Sequence, residues 1–301
     1  MPARRWRIGR VVVLVVAVAA VVAGGILLAR WMRDQPALQS FLADYPGQAT
    51  LPGFAPVGIP AWLAWQHGLN AFFLLFVIRS GFQLRYLKRP RAFFTRDNTG
   101  LIRTANPPKR IPMELWLHLT VDTLWVLNGV VYVVLLFATG QWVRVVPTSW
   151  DVLPNAFSAA LQYASMDWPT ENGWVNYNAL QLLAYFAVVF VLAPVAVVTG
   201  LRMSPTFVSR NVPLLPLDRA RRLHWASLVA FLVFTATHVL LVLATNALRN
   251  LNHMYAARAD DGWAGAVVFG ASLVVMISAL IAARPAALRA IAGRMGTVLV
   301  R

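Results

Sequence analysis

The residues that could do chemistry are histidines: the chain has five of them and no cysteine. Without thiols there are no disulfides, thiolate metal sites, iron–sulfur clusters or covalent heme attachment through Cys-x-x-Cys-His. Any metal must therefore use His, Met, Tyr or carboxylate. Four of the five, His67, His118, His224 and His238, fall inside long apolar runs. Ionisable side chains at membrane depth are costly and tend to mark function, so four together ask for a common explanation.

His224 and His238 share one run, 14 residues apart. As a helix that spacing is about 21 Å of rise at ~1.5 Å per residue and a turn of roughly 1400°, only ~40° short of four full turns. Both rings therefore leave the same face, one near each end of the span. With the helix starting at Asp218, a candidate N-cap after "PLLP", His224 lies about 9 Å inside one surface and His238 about 10 Å from the other end near Thr245. His67 lies about 12 Å from the outer start of its run, and His118 about 9 Å from the inner start of its own. These depths pair His67 with His238, and His118 with His224.

The iron of a six-coordinate b heme accepts two imidazoles on opposite sides of a flat ring, so the arrangement predicts two heme b groups stacked across the bilayer. Such rings need clearance where they pass helices that do not ligate them. Gly81 is 14 residues from His67 on nearly the same face, at the inner depth, and Gly129 is 11 residues from His118, about 20° off its face and toward the outer depth. Each glycine lies where the other ring would pass, with close helix packing as the alternative use. Anionic propionates pair with cations, for which Arg79, Arg221 and Arg222 are inner candidates and Arg249 or Arg258 outer ones. Setting topology is the simpler role for each.

Glu114, His118 and Asp122 recur at four-residue spacing and share a helical face near the inner pair, as a proton path would require. The plainer reading is that Glu114 caps its helix and Asp122 bonds locally. His253, in "RNLNHMYAAR", reads as a solvated loop residue, with contact to a quinone or a partner protein as the alternative.

Membrane helices must position these residues. Of 301 residues, 59% are hydrophobic and 13% charged. Six runs can each cross as a helix of about 20 residues: Ile8–Leu28, Ile59–Arg79, Met113–Phe137, Asn178–Thr199, Leu223–Leu243 and Ala264–Ala282. The sequence thus predicts an all-α, polytopic membrane protein of six transmembrane helices with a four-helix diheme core. Residues 1–58 form the first helix and an outer linker, 59–246 the core, and 247–301 an outer loop, the sixth helix and a cytoplasmic tail.

A formal charge of +16 could suggest nucleic acid, but 22 of the 27 Lys and Arg residues fall in segments 4–10, 79–110, 202–222 and 284–301. Those segments lie on one side of the six spans. The pattern is the positive-inside asymmetry, which puts both termini in the cytoplasm of a multi-pass protein of the cell inner membrane. Membrane lipid is then the expected surrounding, and nucleic acid is not a partner. The run after "RRWRIGR" lacks a small-residue cleavage site and reads as a retained helix rather than a signal peptide. Residues 30–58, rich in Pro and Gly, read as an ordered loop or linker without its own core. Trp142, Trp150, Trp168 and Trp174 read as interface anchors.

In the order of its histidines the chain resembles the diheme cytochrome b subunits of bacterial formate dehydrogenase, nickel–iron hydrogenase and thiosulfate reductase, and bacterial cytochrome b561. That family carries one histidine on its first core helix, one on its second, none on its third and two spaced by 14 on its fourth. Here the same order runs through "WQHGLN", "ELWLHLTVD", the His-free "NALQLLAYFAVVFVLAPVAVVTG" and "RLHWASLVAFLVFTATHV", over Ile59–Thr245. The resemblance implies the same pairing and two heme b cofactors. It further implies electron exchange with a quinone, menaquinone or ubiquinone, and with a partner oxidoreductase subunit, molybdopterin-dependent enzymes being one type. One feature departs: four-span members start their core in the cytoplasm, whereas the extra first helix here makes it start outside. The docking side and the quinone side stay open for that reason.

Three functions compete at this point. The leading one is an electron-transfer subunit with no catalytic residue of its own, in which a partner performs the substrate chemistry. A proton-coupled transporter or channel using intramembrane His, Asp and Glu is the alternative, and a structural anchor for a peripheral enzyme is the third.

Overall fold

Each apolar run becomes a helix, since a helix satisfies its backbone groups within the segment and asks nothing of lipid. The computed structural model describes residues 2–99, 103–168, 172–210 and 212–301. In chain order it has α1 (Pro2–Arg33), α2 (Pro36–Asp44), α3 (Ala61–Arg85), β1 (Ala92–Arg96), β2 (Ile111–Pro112) and α4 (Met113–Ala138). There follow a 3-10 turn at Gln141–Arg144, α5 (Val152–Ala164), α6 (Ala179–Phe186), a π-helical stretch at Ala187–Leu192 and α7 (Ala193–Met203). The chain continues through α8 (Leu217–Leu251), a second π-helical stretch at Asn252–Ala256, α9 (Ala264–Ala282), α10 (Pro285–Ala292) and β3 (Gly296–Val300). Six helices are long and apolar enough to cross a membrane: α1, α3, α4, continuous α6–α7, α8 and α9. The wide turn between α6 and α7 immediately precedes Pro194, which has no N–H for the carbonyl four residues earlier.

The chain forms two compact units, Met1–Val57 with Gly140–Val188, and Gly58–Thr139 with Val189–Arg301. In the first, the segment expected to be a linker without a core carries α2 and contributes Ala49 to a buried cluster with Val152, Ala156, Ala179 and Leu182. Polar side chains supply what its composition hides. Asn155 accepts from the Gly47 amide at 2.9 Å, and Gly47 accepts in turn from the Ala179 amide at 2.9 Å. Asn178 caps α6 reciprocally with Gln181. Arg144 is only 2% exposed; it donates to the Gly173 carbonyl at 2.5 Å and lies over the Tyr177 ring.

In the second unit α3 packs along α4 and α7 along α8. No run of the sequence predicts a strand, yet the unit holds a small antiparallel sheet of order β2-β1-β3. Arg96 pairs with Gly296 and Ala92 with Val300. Phe94 of β1 packs with Trp116 and Leu117 of α4 and Ala292 of α10 in one buried cluster. A strand whose partner lies so far along the chain leaves no local pairing signal.

The fifth span starts at Leu217 after Pro216, with Asp218 inside its first turn rather than at its cap. Its far end is set by Asn246, whose backbone is extended (φ −153°, ψ 87°). Asn246 Oδ1 accepts from the Arg249 amide at 3.2 Å, the bond of an N-cap. The regular span therefore stops at Thr245, and a short new helix leads into the second π-helical stretch. Asn250 Nδ2 donates to the Val242 carbonyl at 3.0 Å, satisfying an acceptor that the break frees.

Candidate functional site

The four intramembrane histidines meet in two pairs, all in the second unit. His67 of α3 and His238 of α8 face each other with ring centroids 6.1 Å apart and planes at 61°. His118 of α4 and His224 of α8 do the same at 6.2 Å and 86°. A metal bound to both imidazoles of a pair, at about 2 Å each, would hold the ring centres about 6 Å apart. Both separations match that span. Two imidazoles fill only two coordination positions, and among the described residues no group of three or more His, Cys, Asp or Glu could hold an ion. The pairs suit a metal that brings its own equatorial ligands, as heme iron does.

Neighbouring helices orient two of the rings. Ser80 Oγ lies 2.8 Å from His118 Nδ1, and Thr199 Oγ1 lies 3.0 Å from His224 Nδ1. The Ala196 carbonyl stands 3.1 Å from that same His224 nitrogen. Next in sequence to each hydroxyl is a glycine beside the same ring. A Cβ on Gly81 would meet His118 Cε1 at 3.7 Å, and one on Gly200 would meet His224 Cε1 at 3.3 Å. Thus "SG" on α3 and "TG" on α7 treat their histidines alike. Gly129 has nothing within 4 Å of a built Cβ, so its side of α4 is open.

The His67/His238 pair has a different surround. Phe234 stacks on His238 at 5.6 Å, and Tyr255 meets His67 edge to face at 5.5 Å. Tyr255 comes from the π-helical stretch beyond the Asn246 break and also touches Phe269 of α9. His253, expected as a solvated loop residue, is only 4% exposed. The reason is that Asn246 starts a new helical segment, which turns "NLNHMYA" inward instead of leaving it as loop.

The remaining candidates are placed as follows. Asp122 Oδ2 lies 3.4 Å from His118 Nε2. Glu114 makes no cap at the start of α4, and its Oε2 is buried without a hydrogen bond among the described residues. Arg79 donates to the carbonyls of Leu280 at 3.3 Å and Ala283 at 3.0 Å, closing the C-terminal end of α9. Arg222 is exposed and donates to the Asp218 carbonyl at 3.4 Å, while Arg221 pairs with the Asp218 carboxylate. Arg249 pairs with Asp261 and Arg258 with Asp260.

Sequence reasoning missed Ser80, Thr199, Gly200 and Tyr255. The usable signal was the repeated hydroxyl–glycine dipeptide, at "RSGF" on the helix before His118 and "VTGL" on the helix before His224.

A family model described as prokaryotic cytochrome b561 matches residues 58–257, well over half of the chain. No curated protein and no solved structure matches it.

Proposed function

The chain belongs to the prokaryotic cytochrome b561 family, an integral membrane family of heme-mediated transmembrane electron transfer, and from that premise we propose that it carries two b-type hemes. One is held by His67 and His238, the other by His118 and His224. The observation that carries this reading is the pair of centroid separations, 6.1 and 6.2 Å, each of the span that an iron between two imidazoles needs. When bound, each heme supplies a one-electron iron couple.

The chain's own residues provide the rest. Three helices, α3, α4 and α8, hold the imidazoles in opposition, Gly81 and Gly200 give room beside the His118 and His224 rings, and the open side of Gly129 leaves space for the second group. Lipid-facing helices keep water away, which limits side reactions of the reduced iron. Electrons pass between a partner oxidoreductase subunit and the quinone pool, with the protein as conductor and the partner as catalyst. The distribution of Lys and Arg supports an inner-membrane location with both termini cytoplasmic.

The visible spectrum of purified protein before and after dithionite tests the proposal. The expected result is a reduced b-type signal with two hemes per chain. A protein that gives no such signal is not a cytochrome, and the reading fails.

A further inference from the structure

We infer that Ser80 and Thr199 are positioning residues that fix the ring tautomers of His118 and His224 and make the iron between those rings the lower-potential one of the two. The inference rests on the two-heme reading and assigns its energetic direction.

We place each hydroxyl proton on a carbonyl of its own helix. Ser80 Oγ donates to the Phe76 carbonyl at 2.8 Å, and Thr199 Oγ1 donates to the Val195 carbonyl at 2.7 Å, each four residues back on its own helix. What each oxygen then offers the adjacent imidazole is a lone pair. On that placement Nδ1 is the donor, at 2.8 Å in His118 and 3.0 Å in His224. At His224 the Ala196 carbonyl at 3.1 Å demands the same assignment, because a carbonyl can only accept. With the proton held on Nδ1, Nε2 is left bare to bind iron.

An acceptor on Nδ1–H does more than orient the ring. It draws the proton outward and raises the basicity of the opposite nitrogen. A more basic ligand favours the more highly charged ferric state and lowers the potential. The nearby guanidinium of Arg79 is turned to the α9 carbonyls.

The other pair lacks this support on at least one side. His67 Nδ1 is buried and has no hydrogen-bond partner among the described residues. Its close neighbour is the Tyr255 ring edge. Iron between His67 and His238 therefore meets the weaker donor and holds its electron more readily.

The test is a potentiometric titration of the purified full chain, followed by the reduced heme absorbance. Wild type is expected to show two couples, and the one surviving in His238→Ala is expected to be the lower. Ser80→Ala and the near-isosteric Thr199→Val should each raise that couple. The expected size is on the order of tenfold in the reduced-to-oxidised ratio at fixed potential, about 59 mV for one electron. The higher couple should stay in place, and Ser80→Thr and Thr199→Ser should retain the wild-type value. A lower couple unmoved in both variants, or both couples moving equally, overturns the inference while leaving two hemes intact. A wild-type chain with two hemes but a single couple overturns it as well, whereas fewer than two hemes per chain defeats the two-heme reading beneath it.

Discussion

His224 and His238 leave one face of α8, and the Ala196 carbonyl of the preceding helix stands 3.1 Å from His224 Nδ1. The ring of His238, on the same face and 14 residues along, has Phe234 stacked on it at 5.6 Å.

Replacing His238 by Ala should remove the heme held with His67 and spare the other. Heme content per chain should fall by half, and the remaining reduced spectrum should be that of a single b-type group. Loss of both, or of neither, would contradict the pairing.

Gly200→Val should disturb only the His224 side. A Cβ there already approaches His224 Cε1 at 3.3 Å, and the two extra methyl groups must push the ring or the helix, at a cost of about 1–3 kcal/mol. The expected result is loss of one heme signal together with a lower Tm. A variant with wild-type spectrum and Tm would show that α7 has slack at this point.

Arg79→Ala separates two roles for this arginine. Its guanidinium bonds the Leu280 and Ala283 carbonyls, and charge-assisted bonds of this type contribute about 1.5–3 kcal/mol each. Thermal stability should fall while both heme midpoints stay in place. A shifted midpoint at unchanged Tm would instead mark a propionate partner.

Gly265→Ala should be harsher than a usual glycine replacement. A Cβ at this position would lie 2.3 Å from the Leu251 carbonyl carbon and oxygen, both backbone atoms that cannot rotate away. The start of α9 would have to leave the stretch that carries Tyr255. A drop in Tm with a changed spectrum of the His67/His238 heme is expected, measured against Gly270→Ala, where nothing lies within 4 Å.

Acid should loosen the loop that precedes α9. The Gly262 amide, with further help from Arg258 and Asn252, holds the Asp260 carboxyl below the ordinary value of 3.8. A lowered folded value means the contribution is fully present above the ordinary carboxylate range and is lost as pH falls through the lowered one. Hydrogen exchange at Gly262 should stay slow at neutral pH in wild type and become fast in Asp260→Asn. Equal rates in the two proteins would deny the carboxylate this role.

Much of this arrangement is legible in one dimension because helices are local. Six apolar runs and a 14-residue interval define spans and a shared face from spacing alone, and the end expected near Thr245 meets the break at Asn246. What escapes are relations between elements. Ser80 and Thr199 look like ordinary helix hydroxyls bonded to carbonyls four residues back, and their second bond exists only because another helix brings a ring to them. His253 follows the same rule in reverse: "RNLNHMYAAR" has a loop's composition, but Asn246 and Asn250 use their amides to start and brace a helical turn. Arg79 is a cation at a span end by sequence, and its partners are carbonyls about 200 residues away.

The pairing of Arg96 with Gly296 has a bearing on how the protein is made. β1 leaves the ribosome two hundred residues ahead of the strand that covers its edge, and that last strand follows α9 in the chain. Until then β1 offers an open edge to any passing extended peptide. Closure of the sheet therefore waits for the end of the chain: the second edge of β1 is sealed only once Gly296–Val300 has been made.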